Sequence, residues 1–197
     1  MQMEDLIELA KRVQAQQAEA QTVEVKAAHR GCPSKLRDTL SSFSNQNSGG
    51  ILLFGLDENE HFAAVGVYDL QDLQKKVTEQ CNQMQPPVRA LFTTAEYKGV
   101  WICSAEIPSI AYAERPCYYI GAGIQNGSYV RVGDADRHMT DYEIYCFEAY
   151  RNHMHDDERV IERATIGFLD KDLLNAFLTE RRISRPQFAQ MNDTQAM

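Results

Sequence analysis

Gly49–Asp57 reads GGILLFGLD. Its centre, ILLFGL, is apolar without alternation, and it lies between a glycine pair and an acidic turn. A short continuous apolar run bounded by turn residues fits a strand covered on both faces, so we read it as the centre of a sheet. Immediately upstream, the polar stretch Ser44–Ser48 ends a helix that a Ser34 cap opens and that carries Leu36, Leu40 and Phe43 on one stripe. Before that helix, TVEVK (Thr22–Lys26) alternates strictly. This predicts a strand with Val23 and Val25 inward and Glu24 and Lys26 on the opposite face.

Downstream, the acidic DENE at Asp57 starts a hairpin turn with a return strand over 62–67. Asp69 caps a helix with Leu70, Leu73 and Val77 inward. Residues 89–97 and 100–107 predict a hairpin about Lys98-Gly99, and 117–121 with 128–132 a second pair turning at Asn126-Gly127. Thr140 and Glu143 form a capping box that opens a helix running to about residue 152. A last helix carries Leu173, Leu174, Phe177 and Leu178, and a first one carries Leu6, Leu9, Ala10 and Val13. Hairpins mixed with isolated helices give an α+β fold: a mixed, largely antiparallel sheet with hairpins, flanked by helices. The expected organisation is an N-terminal helix over 1–18, one domain over 19–152, and a helical extension over 153–197 leading to further domains of a longer protein.

The 197 residues are 44% hydrophobic and 24% charged, which suits one globular domain with short extensions. No apolar run is long enough to span a membrane, and the charged N-terminus lacks the apolar region of a secretory signal. Five scattered cysteines with no CxxC fit a reduced, cytoplasmic chain. His29 and Cys32 form an isolated HxxC, a weak zinc signal. The net charge of −8 opposes non-specific wrapping of DNA, yet it leaves room for a local basic patch.

Three carboxylates, Glu19, Glu24 and Asp57, converge if the first strand and the central strand are neighbours. Such a group could hold Mg²⁺ or Mn²⁺ for phosphodiester hydrolysis. Spacing alone favours the ordinary reading, a strand-face Glu24 paired with Lys26 and a turn Asp57. Asn45, Asn47, Gly49 and Gly50 could present backbone amides to a phosphate. They could equally end a helix and admit another backbone. No GxxxxGK[ST] is present, so an ATP-binding P-loop is unsupported. Lys26, Arg30, Lys35 and Arg37, with Arg131 and Arg137, would line a phosphate-positioning groove if they share one side. Tyr118, Tyr119 and Tyr129 could stack on bases or fill a core. The run HMHDDE, 153–158, reads as a solvated connection.

TVEVK, SFSNQNSGGILLFGLDEN, AAVGV and SYVRVGD with TDYEI, taken in order, resemble the Schlafen-type AlbA-like domain over about Glu19 to Tyr150. The shared pattern is a Glu-x-Lys strand, a Phe-x-Asn segment, a Gly-Gly pair, an apolar strand ending Gly-Leu-Asp, and a later Tyr-x-Arg-x-Gly. The resemblance implies a DNA- or RNA-binding domain that contacts the phosphate backbone, often the N-terminal part of a bacterial transcriptional regulator. On that reading Lys26, Arg30, Lys35, Arg37, Asn45, Arg131 and Arg137 bind nucleic acid and no cofactor is expected. Animal Schlafen proteins cleave RNA with three carboxylates that correspond to Glu19, Glu24 and Asp57. The alternative it implies is therefore a metal-dependent ribonuclease, with Mg²⁺ or Mn²⁺ on Glu24 and Asp57. The chain departs from those enzymes in having one such domain and no zinc-type cysteine pattern. It also has Val25 where an aromatic is usual and Asp134 where serine is frequent. A homodimer would rebuild a two-lobed groove. The acidic charge keeps a protein-interaction module as a third reading.

Overall fold

The computed structural model describes residues 1–152 and 166–188. The run 153–158 lies outside them. The chain divides into two compact units, Met1–Met154 and His155–Met197.

In the first unit, strand β1 (Val23–Lys26) pairs in parallel with β2 (Gly50–Phe54), Val23 opposite Ile51 and Lys26 opposite Phe54. Helix α2 (Arg37–Asn45) makes the crossover that a parallel pair requires. Strands β6 (Leu91–Tyr97) and β7 (Val100–Ile107) form the expected hairpin, and β7 lies antiparallel to β2. The sheet order is β1-β2-β7-β6, so the ILLF segment is an inner strand. The architecture is α+β, with a mixed, largely antiparallel sheet. Shorter ladders join β3 (Leu56–Asp57) to β4 (Ala63–Ala64), and β5 (Met84–Gln85) to β8 (Tyr118–Tyr119). A third joins β9 (Tyr129–Val132) to β10 (Ala135–His138).

Both sheet faces are covered, as an inner strand without alternation demands. Helix α1 (Met3–Gln16) seats Leu6, Leu9, Ala10 and Val13 against Val23, Val25, Leu53 and Ile102. Helix α2 and helix α3 (Leu70–Cys81) seat Leu40, Phe43, Leu73 and Val77 on Leu52, Phe54, Cys103 and Ala105. Each such fully buried aliphatic or phenyl side chain contributes roughly 1.5–3 kcal/mol. Burial pushes the Cys81 thiol to about 11 and those of Cys103 and Cys117 to about 12, so these cysteines act as small apolar filler.

Three local expectations differ from the structure. Helix α2 begins at Arg37, not after Ser34, because the Leu36 amide donates to Gln80 Oε1 of α3 at 3.1 Å. The N-cap position falls on Leu36, and no side chain caps the amides of the first turn. The return strand over 62–67 shrinks to Ala63–Ala64, since the Val65 and Gly66 amides both donate to the Gly55 carbonyl. Of the expected pairing of 117–121 with 128–132, a single antiparallel bridge, Tyr118 to Ser128, forms, and Asn126-Gly127 closes no ladder. It lies in the short helix α4 (Gly123–Gly127), where β8 has already turned to pair with β5. The hairpin turn is instead Gly133-Asp134, with Gly133 at φ 65°, as a type II′ turn needs at its first central position.

The glycine pair is a packing device. A Cβ on Gly50 would lie 2.2 Å from the Phe43 ring, and one on Gly49, whose φ is 64°, would lie 2.4 Å from the Ile107 carbonyl oxygen. These glycines admit another backbone and a core ring rather than a phosphate. Helix α5 (Asp141–Arg151) opens with the Thr140/Glu143 capping box. In the second unit, helix α6 (Lys171–Ser184) is capped by Asp170, which accepts from the amides of Asp172 and Leu173.

Candidate functional site

Strand β1 is an edge strand, and its Glu24/Lys26 face looks onto α2 and the β9–β10 hairpin. Arg131, on β9, reaches across from that hairpin with its side chain only 1% exposed. Its guanidinium donates to Glu24 Oε2 at 2.8 Å and to Asp136 Oδ1 at 3.0 Å, and Glu19 Oε2 lies 3.9 Å away. It donates also to the carbonyls of Gln21 and Val23, and it lies over the Phe43 ring, 5.2 Å from the centroid. Burial pulls the Arg131 pKa down, and the Asp136 and Glu24 carboxylates more than offset it, so the guanidinium stays charged. Asp136 is held in turn by the Thr39 and Ser42 hydroxyls of α2, both at 2.6 Å. Lys26 Nζ sits 2.5 Å from Glu24 Oε1. A cation therefore stands among Glu19, Glu24 and Asp136, and these contacts tie β1, α2 and the hairpin together.

Glu19 accepts from the Val25 amide at 2.8 Å. It also borders a cavity of about 390 Å³ lined by Glu58, His61 and Asp134. Burial raises its pKa from 4.5 to about 7; the Val25 amide opposes the rise, while Glu24 and Glu58 add to it. The folded protein thus binds this proton more tightly than the unfolded chain does. The resulting stability is fully present below pH 4.5 and is lost as the pH rises to about 7. A Glu19→Gln variant keeps an acceptor for Val25 without the titration. Its stability relative to wild type is expected to rise steadily across that window in urea unfolding at a series of pH values. A constant difference between the two proteins from pH 4.5 to 7 would remove this assignment.

The predicted site residues fall into three groups. Glu19, Glu24, Lys26 and Arg131 meet as the sequence reading required, but Arg131 lies inside the cluster instead of on a groove surface. Asn45 is likewise interior. Its amide donates to the carbonyls of Cys117 at 2.9 Å and Tyr129 at 3.1 Å, and its Oδ1 accepts from the Cys117 amide at 2.7 Å. Arg30, Lys35 and Arg137 are exposed, and Arg37 is half-buried with its guanidinium 5.0 Å over the Tyr119 ring. Close by, Tyr129 and His138 rings stack at 4.3 Å. Burial and the Asp38 carboxylate raise the Tyr129 phenol pKa, with Arg37 acting against them, so the α2 N-terminus and this ring pair are electrostatic neighbours. Asp136, Thr39, Ser42 and His138 were not singled out from sequence. The strongest available signal was the Gly133-Asp134 turn, which would have placed Asp136 opposite Arg131.

The donor set does not fit a divalent metal. Both Glu24 oxygens are engaged by cations, and Asp57 Oδ1 accepts from the Asn59 amide and side chain. Among the described residues, no group of three or more His, Cys, Asp or Glu is arranged to hold a metal ion.

A family model described as Schlafen, AlbA_2 matches residues 19–140. The chain belongs to this family. The AlbA_2 region starts at Glu19 and ends just past β10, so it contains the whole Arg131 cluster, while α1, which supplies four residues to one core, lies before it. The fold is similar to the solution structure of the N-terminal domain of a RecG-related protein from Nitrosomonas europaea. The TM-score is 0.53 at 22% identity, over 68% of this chain and 93% of that one. The crystal structure of the DIP2311 protein from Corynebacterium diphtheriae aligns at TM-score 0.48 and 19% identity. It covers 96% of this chain and 35% of that one. No curated protein matches. No helix among the described residues of this AlbA_2 protein is long and apolar enough to cross a membrane.

Proposed function

We propose that the AlbA_2 region binds nucleic acid, as the DNA- or RNA-contacting part of a cytoplasmic transcriptional regulator, through the N-terminus of α2 and the β9–β10 hairpin. One observation carries this reading: Arg37, over the Tyr119 ring, is an electrostatic neighbour of Tyr129 and so of the Tyr129–His138 ring pair, and Lys35 before it and Arg137 on the hairpin are exposed. Aromatic faces next to cations suit unpaired bases, and the free cations suit phosphates. Lys26 and Arg30 extend the basic surface at the end of β1. Arg131 and Asn45 act from beneath it, by fixing the hairpin on α2. The ribonuclease alternative, Glu19, Glu24 and Asp57 with Mg²⁺ or Mn²⁺, has less support because all three of its carboxylates already accept hydrogen bonds, and both oxygens of Glu24 are paired with cations.

Fluorescence anisotropy with labelled single strands and duplexes of DNA and RNA, across a salt series, tests the proposal. Wild type is expected to bind with a steep salt dependence. The Lys35→Glu/Arg37→Glu/Arg137→Glu variant should flatten the slope of log affinity against log salt by roughly three for a duplex. Absent binding at low salt, or equal slopes for both proteins, would refute the reading. The same samples incubated with Mn²⁺ and run on a denaturing gel should show intact RNA; cleavage abolished by Asp57→Ala would instead favour the nuclease.

A further inference from the structure

The two edges of the main sheet are finished differently. On β1 the outward-pointing groups belong to Val23 and Val25. The Val23 amide donates to the Ala20 carbonyl at 2.8 Å, the Val23 carbonyl accepts from Arg131, and the Val25 amide donates to Glu19. This edge is closed by side chains and a turn. At the other edge, among the described residues, β6 has a strand neighbour on the β7 side only. Lys98 and Gly99 have φ 51° and 78°, the two positive values of a type I′ turn, which makes Tyr97 and Val100 a mutually hydrogen-bonded pair. The Trp101 carbonyl accepts from the Val67 amide, so it faces away from Glu96, its opposite number. By alternation, the amides and carbonyls of Phe92, Thr94 and Glu96 all point outward from the sheet. No hydrogen bond among the described residues reaches them.

Natural edge strands are usually blunted by proline, lysine, a bulge or short length. Strand β6 is seven residues, LFTTAEY, with none of these devices and a single charge, Glu96. Leu91 is 68% exposed on it, and Trp101 next to Glu96 is 50% exposed. We propose that β6 is a dimerisation edge that pairs antiparallel with β6 of a second copy of this chain, about a two-fold axis at Thr94.

The register is self-complementary. Thr94 faces Thr94 of the partner subunit, and Phe92 faces Glu96 of the partner subunit. Three outward amides on each strand then donate, and all the outward carbonyls accept. Leu91 comes against Tyr97 of the partner subunit. Slipping by two residues towards the turn leaves the outward groups of Phe92 unpaired, and slipping by four would set Glu96 against Glu96 of the partner subunit, a like-charge pair that disfavours it. Slipping the other way leaves outward groups of Glu96 unpaired. The axis is perpendicular to the sheet, so both α2 faces lie on the same side of a continuous eight-stranded sheet. Only the consequence that one nucleic acid could engage both faces rests on the function proposed above; the pairing itself does not.

Sedimentation velocity on the intact chain over a concentration series reaching roughly 0.1 mM is expected to show a species of twice the 22.4 kDa chain mass. Thr94→Pro removes an outward amide and no β6–β7 bond, so it should give a folded monomer. Thr94→Cys should crosslink under mild oxidation above the wild-type background, because a hydrogen-bonded antiparallel pair has Cα atoms about 5.5 Å apart. Glu96→Cys should not, since its copies lie roughly 13 Å apart along the strands. If Thr94→Pro fails to fold, the cysteine pair decides. A monomeric wild type throughout the series, or a dimer that Thr94→Cys does not crosslink, overturns the proposal.

Discussion

Replacing Arg131 by methionine is expected to destabilise the protein by about 3–5 kcal/mol, the usual effect of removing one partner from a buried ionic cluster. The loss comes less from the bonds themselves than from what remains. Glu24 and Asp136 would stay in the interior, each 13% exposed, facing one another without the guanidinium. Urea unfolding monitored by far-ultraviolet circular dichroism measures it, as a fall in midpoint at constant slope. Arg131→Met combined with Glu24→Gln should recover part of the loss, because the second change removes the carboxylate facing Asp136, which Lys26 alone would then balance; couplings of about 0.5–3 kcal/mol are usual for residues in direct contact. A surface arginine used for phosphate contact would behave otherwise. Its loss would change stability by no more than about 0.5 kcal/mol and would weaken binding alone. An unchanged midpoint for Arg131→Met would therefore return Arg131 to the surface.

The second large effect is expected at Asn45. Asn45→Ala leaves the Cys117 amide and the Tyr129 carbonyl without their partners in the interior, while Ser41 Oγ still donates to the Cys117 carbonyl. Two buried orphans cost about 2–4 kcal/mol. Asn45→Asp should be no better, since a carboxylate can accept from the Cys117 amide but cannot donate to the two carbonyls. Asn47→Ala, two residues away and exposed, serves as the control and should change stability by under about 0.5 kcal/mol. Equal effects at positions 45 and 47 would mean that Asn45 does not clamp the 117 and 129 segments to α2.

Asn45 and Arg131 show why function was harder to read than fold. Both are polar, and polar residues are mostly exposed, so placing them on a binding surface was the reasonable expectation. Their burial depends on partners 72 and 107 positions away in the chain, Cys117 for one and Glu24 for the other. By contrast, Lys35 and Arg137 remain outside, where an unpaired cation belongs. The misplaced turn has a similar origin. Asn126-Gly127 and Gly133-Asp134 are both good turn signals, and only the second closes a ladder, because β8 pairs with β5 while β9 pairs with β10.

What followed from the sequence alone was the local grammar and the class. Alternation in TVEVK, the unbroken apolar run after Gly50, the stripes on α1, α2 and α3, and the Thr140/Glu143 box each describe one element and the face it hides. Those signals are encoded within a few residues, because periodicity reflects which side of an element meets water. Only the tertiary structure decided which hidden faces meet, that the β1 edge is closed by Arg131 and Glu19 while no strand among the described residues covers the β6 edge, and that a candidate phosphate contact is an internal counter-ion. Those outcomes depend on contacts between distant segments, and burial of a charge is set by the partner it finds there, which no local pattern records.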